Sequence, residues 1–131
     1  MEERAPGLAV ELLDHAASAV RDRAMDIEGP YVERCWTHIV GPTAVVLLRC
    51  LKWRAGGAVD PAELAAVIGA GNDPAGKAVW RALNRLGRYG LVYAEGVRVE
   101  VYRQVAPLGP NQLDRAPVLV REAHRELWGA V

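Results

Sequence analysis

With 131 residues, 51% of them apolar, and only two cysteines, the chain can bury one sizeable core; it is too short for two and is no disulfide scaffold. Sixteen cations balance sixteen anions, so overall charge does not mark a nucleic-acid binder. No apolar run approaches the roughly 18 to 20 residues of a membrane helix. Glu2 and Glu3 also stand where a signal peptide carries cations, so the expected compartment is the cytoplasm.

Charge is uneven along the chain. Residues 1–35 hold 8 acids and 4 bases (net −4), whereas 73–105 hold 6 bases and 3 acids (net +3). Any anion-binding face belongs on the second stretch, with the first kept away from it or used for self-association. Fourteen of the cations are Arg, which with abundant Ala, Gly and Val suggests a GC-rich bacterial genome.

In chain order, residues 8–27 place Leu13, Ala16, Ala17, Val20, Ala24 and Ile27 at helical spacing, with Glu11, Asp14, Ser18, Arg21 and Asp22 opposite. The expected element is an amphipathic helix, packed on its own domain or on a second copy, and Gly29-Pro30 ends it. Residues 31–40 are apolar without a clean period. Gly41-Pro42-Thr43 then opens a helix that is apolar nearly all round. Its Val45, Val46, Leu47, Leu48, Cys50, Leu51 and Trp53 are the expected centre of the core. After Gly56-Gly57, Ala58-Val59 suits one short β-bridge, and Asp60-Pro61 starts a helix burying Leu64, Ala65, Val67 and Ile68.

Asp73 to Gly90 carries the clearest signal. Asp73 suits a helix cap, Pro74 the first helical position and Gly90 the stop, so a helix is expected over 74–89. At 100° per residue Val79, Ala82, Leu83, Leu86 and Tyr89 fall on one side. Lys77, Arg81, Asn84, Arg85 and Arg88 fall on the other. Four cations without an interleaved acid repel one another, by a few tenths of a kcal/mol per i,i+4 pair, so the stripe does not serve the helix itself. A polyanion explains it.

Leu91 to Ala94, a Glu95-Gly96 turn and the alternating run Val97 to Arg103 read as a hairpin, with Val97, Val99 and Val101 inward. Pro107 to Pro110 is a connector. Pro117 starts a last helix with Val118, Leu119, Ala123 and Leu127 as its apolar stripe and Trp128 at its end; it must dock on its own core, on the N-terminal helix or on a second chain.

Helix, short strand, helix, turn, basic helix and hairpin over residues 42–105 resemble the winged helix-turn-helix superfamily. The phrase ELAAVIGA followed by KAVWRALNRLGRYGLV is similar to that family's helix, recognition helix and Gly-Leu strand entry. The turn from Gly69 to Asp73 is longer than the family's, and Trp80 stands where a small polar residue is common. Flanking helices at both ends also resemble the MarR-like dimeric regulators. The resemblance implies a mainly α fold with a small β-wing. A winged domain over 42–105 would lie between helical extensions at 1–41 and 106–131. It further implies a dimeric transcriptional regulator that puts residues 74–89 into the major groove of double-stranded DNA. Lys77, Arg81, Asn84 and Arg85 match the base-reading face, Arg88 the phosphate contact at the helix end, and Arg98 and Arg103 the wing. Winged helices also serve as adaptors that bind only protein, which is the alternative.

Other chemistries find little footing. Gly71 to Lys77 fits G-x-x-x-x-G-K, but Ala78 replaces the Mg²⁺-binding hydroxyl and a helix precedes the loop. Cys35-x-x-His38 has metal-like spacing, but only Cys50 and the distant His15 and His124 could complete a set, and a buried Cys beside a polar His is the simpler expectation. His15, His38 and His124 stand apart and no nucleophile elbow occurs, so neither an enzyme nor a cofactor is expected.

Overall fold

The strand period is hidden in LAVELL. Leu8 and Val10 are buried while Ala9 and Glu11 are exposed, and Leu8–Leu13 forms strand β1, where a helix over 8–27 was expected. A pattern compatible with both periods is decided by its partners, and here a sheet slot supplies the hydrogen bonds. The computed structural model describes residues 7–15, 17, 21 and 25–128; residues 16, 18–20 and 22–24 of the expected helix lie outside them, and its last residues, 25–27, are not helical, Asp26 forming a β-bridge with Gln104.

Two helical pieces follow. A π-helical turn, Val32–Trp36, runs directly into the α-helical turn Thr37–Val40; together they are α1. Next come α2 (Pro42–Trp53), β2 (Ala58–Val59), α3 (Pro61–Val67), α4 (Lys77–Arg88), β3 (Val92–Glu95), β4 (Arg98–Tyr102), α5 (Pro110–Arg115) and α6 (Val118–Trp128). No helix among the described residues is long and apolar enough to cross a membrane.

The sheet has four strands in the order β2-β1-β4-β3. β1 pairs antiparallel with β2 at Leu8↔Val59 and parallel with β4 from Ala9↔Arg98 to Leu13↔Tyr102, while β3 and β4 form the antiparallel hairpin. The architecture is therefore mixed α and β, and the sheet is larger than the two-stranded wing expected from the sequence. The hairpin turn is Gly96-Val97, one residue later than the Glu95-Gly96 reading, because Gly96 takes φ +59 and Glu95 still pairs with Arg98. Val97 is accordingly exposed rather than inward.

One hydrophobic cluster spans Leu8 to Ala123 and joins β1, α1, α2, α3, α4, the hairpin and α6. Ala44, Val45, Leu47, Leu48, Cys50 and Leu51 of α2 are buried as expected. Val46 and Trp53 are not. They sit seven residues apart, on the same outer side of α2, at 43% and 70% exposure, and Trp53 Nε1 donates to Glu28 Oε1 at 2.6 Å. Val67 is likewise exposed at the end of α3, while Leu64 and Ala65 are buried.

The last helix docks on its own chain. Val120 and Ala123 face inward, and Val118 and Leu119, expected in the stripe, face solvent. Tyr31, one residue before the π-turn, is the peg. Its hydroxyl accepts from Leu108 N–H (3.0 Å) and lies 2.6 Å from His124 Nδ1, while its ring meets those of His124 and Trp128. Burial lowers the His124 pKa, which favours a neutral ring whose Nδ1 accepts the Tyr31 proton. Arg34 and Glu126 close the contact at 2.9 Å.

Candidate nucleic-acid interface

Helix α4 begins at Lys77, three residues later than its sequence signals suggest. Residues 73–76 make a turn instead, in which Gly76 N–H donates to the Asp73 carbonyl at 2.9 Å. Gly76 adopts a left-handed φ of 66°, and a Cβ there would stand 2.6 Å from Pro61 Cβ, so the close crossing of α3 and the α4 start needs glycine. Asp73 still caps the helix, across the turn. Its Oδ2 accepts from Ala78 N–H at 2.9 Å. That hydrogen bond, then one from Lys77 N–H and the charges of Lys77 and Arg81, holds the Asp73 carboxyl below its usual range.

The two faces separate as the periodicity requires. Val79, Ala82, Leu83 and Leu86 are buried, against α2, α3 and β3. Lys77, Arg81, Asn84, Arg85 and Arg88 are all exposed along one side. Trp80 is half-buried against the core, and Tyr89 meets the ring of Trp36 at 6.2 Å. At the far end Leu91 N–H donates to the Leu86 carbonyl (3.0 Å) and Gly90 takes φ +77, as a helix stop demands.

The seven candidate residues do not share one condition. Arg85 is engaged. Its Nη1 donates to the Val40 carbonyl at 3.1 Å, supplying a donor to the end of α1, where helical carbonyls lack intrahelical partners. Arg98 pairs with Glu100 (3.0 Å) and Arg103 with Asp14 (3.7 Å), so both hairpin arginines have a carboxylate at hand. The side chains of Lys77, Arg81, Asn84 and Arg88 make no hydrogen bond or ion pair with other described residues. The Arg85 tie had one signal in the sequence, since Gly41-Pro42 announces a helix terminus whose carbonyls need donors. The Asp14 and Glu11 neighbours of β4 had none, because they arrive with β1.

Elsewhere the candidate chemistries come apart. Cys35 is buried with its Sγ 3.9 Å from the Val120 carbonyl, burial pushes its thiol up to about 11, and His38 is exposed. Among the described residues no three His, Cys, Asp or Glu side chains gather as metal ligands. A scan against protein-family models, a search of curated proteins and a search of solved structures each returned no match.

Proposed function

We propose that the chain is a winged helix-turn-helix regulator that reads double-stranded DNA with α4. The observation that carries this is the stripe of Lys77, Arg81, Asn84 and Arg88, exposed and without partners among the described residues, on a helix whose opposite face is buried. A helix fits the major groove. Twelve residues at 1.5 Å each give α4 a length of about 18 Å. Arg81 and Asn84, at its middle, match the donor and acceptor patterns of guanine and adenine edges, and Lys77 and Arg88, at its ends, suit the flanking phosphates. Arg85 serves as the strut that fixes α4 to α1. The unit acts as a homodimer. The N-terminal helix that motivated self-association is a strand over its first six residues, which leaves Val118 and Leu119, at 57% and 78% exposure on α6, as the apolar surface for the second copy.

Fluorescence anisotropy against random duplex DNA at two salt concentrations tests the reading. Two phosphate contacts in each of two subunits give a slope of log K against log salt of about −3.6, so a fourfold rise in salt weakens binding about a hundredfold. Absence of binding at low salt, or binding unaltered by Arg81→Ala with Arg88→Ala, defeats it. The pairing of Arg98 with Glu100 and of Arg103 with Asp14 favours a second reading, an adaptor in which the hairpin meets protein. That reading predicts no duplex binding at any salt.

A further inference from the structure

We propose that the solvent face and free edge of the sheet take an extended, arginine- or lysine-rich segment of another protein as an added strand beside β3. This does not rest on the role of α4.

The edge is open. β3 is the outermost strand, and no described residue hydrogen-bonds to its outer side. In an antiparallel ladder every second residue turns its N–H and C=O away from its partner, so Val92–Glu95 offers unmatched backbone groups to solvent. Val92–Glu95 contains neither the proline nor the lysine that often blunts such an edge.

The face beside that edge is acidic. Buried Val10, Val92, Val99 and Val101 point toward the core, and the alternate residues point out. Glu11 and Glu100 are register partners on adjacent strands, an arrangement that costs stability when nothing lies over it. Glu95 adds a third carboxylate, and the Arg98 guanidinium beside them is already bonded to Glu100. Tyr93 stands among them at 51% exposure, donating to Glu95 Oε2 at 3.2 Å. That bond and the negative charge of Glu95 and Glu100 raise its pKa, which reports the sign of the local field.

These features select the occupant. Nucleic acid and acidic proteins are repelled, and Tyr93 with Leu13 offers too little apolar area to hold a neutral strand by burial alone. A strand added beside β3 runs about 4.8 Å away and sets every second side chain next to Tyr93 and Glu95. Arginine there stacks on the ring and pairs with the carboxylate.

The probe is a fluorescein-labelled peptide of alternating Arg and Thr, about ten residues long, titrated into the full chain at low salt. A control peptide has Pro-Pro inserted at its centre with every Arg retained, which removes N–H donors on both sides of the strand without changing charge. Binding to the first peptide should be at least about tenfold tighter than to the control. It should weaken at least about tenfold in Glu11→Lys with Glu95→Lys, and less in Glu95→Gln. The outward-facing amides of Val92–Glu95 should exchange more slowly in the complex, and Arg81→Ala with Arg88→Ala should bind the peptide unchanged. No binding to the natural chain, equal affinity for the Pro-Pro control, or indifference to the glutamate changes overturns the proposal.

Discussion

Helix α4 and the hairpin β3–β4 both display arginines, and they hold them in opposite states. On α4, Arg81 and Arg88 make no hydrogen bond or ion pair with other described residues, and of that stripe only Arg85 is tied among the described residues, to the Val40 carbonyl; on the hairpin and just beyond it, Arg98 and Arg103 are matched by Glu100 and Asp14. The difference follows from period. A helix sorts positions three and four apart onto one side, so an acid-free basic stripe is fixed by local sequence alone. A strand shows every second residue on each face and borrows the rest of its surroundings from its neighbours, and β1 brings Glu11 and Asp14 alongside β4. The spacing of a stripe is thus a property of the helix itself, whereas the availability of each cation also depends on neighbours, as Arg85 with Val40 and Arg103 with Asp14 show.

Four measurements test the difference between helix and hairpin. The largest effect should come from beneath the stripe. Leu83→Ala, at a position 1% exposed, should lower unfolding free energy by about 2 to 5 kcal/mol in urea titrations, while Arg81→Ala leaves it within about 0.5 kcal/mol. Equal effects would mean that the two faces of α4 are not separate in role. Next, each of Arg81→Ala and Asn84→Ala should cost about 1 to 3 kcal/mol on a preferred duplex and relax its sequence preference, whereas Arg88→Ala should weaken all sequences alike and flatten the salt slope. A selection from random duplexes, repeated with each variant, reads this directly.

Third in size is a pH effect where α6 docks on α1. Burial lowers the His124 pKa, so the unfolded chain binds the proton first, and stability should fall as pH drops below about 6.5 until the folded value is passed. Chemical denaturation at pH 7.5 and pH 5.5, both working values of about that size, should show this loss in the natural chain and a smaller one in His124→Asn, which keeps an acceptor facing Tyr31. The smallest effect belongs to the hairpin. Removing both Arg98 and Arg103 should change duplex affinity by less than about 0.5 kcal/mol, since each already has a carboxylate, and an effect as large as that of Arg81 would erase the contrast.

The parts of the fold legible in sequence were those whose burial pattern is local. The faces of α4, the buried run of α2, Leu64 and Ala65 of α3, and Val99 and Val101 of the hairpin all follow from periodicity and turn residues. Beyond that range the sequence is silent. LAVELL satisfies a helix as well as a strand until β4 is seen beside it. Val46, Trp53, Val67, Val118 and Leu119 look like core residues because their type is apolar, yet each is exposed on its helix. At the candidate site the stripe could be drawn from spacing alone, whereas the bond from Arg85 to Val40 depends on where α1 ends relative to α4.

The position of β1 has a consequence for how the chain acquires its shape. Ala9 is matched with Arg98, 89 positions later (98 − 9), and β2 joins the sheet only through β1. During synthesis the first strand therefore waits until nearly the whole domain has emerged, and closing so long a loop is entropically costly and slow. Until it arrives, β4 keeps one side unpaired and the apolar slot for Leu8 and Val10 stays open. In a concentrated refolding mixture that slot accepts the same strand from a neighbouring molecule as readily as its own, and the product is a pair of chains interlocked by exchange of their first strands.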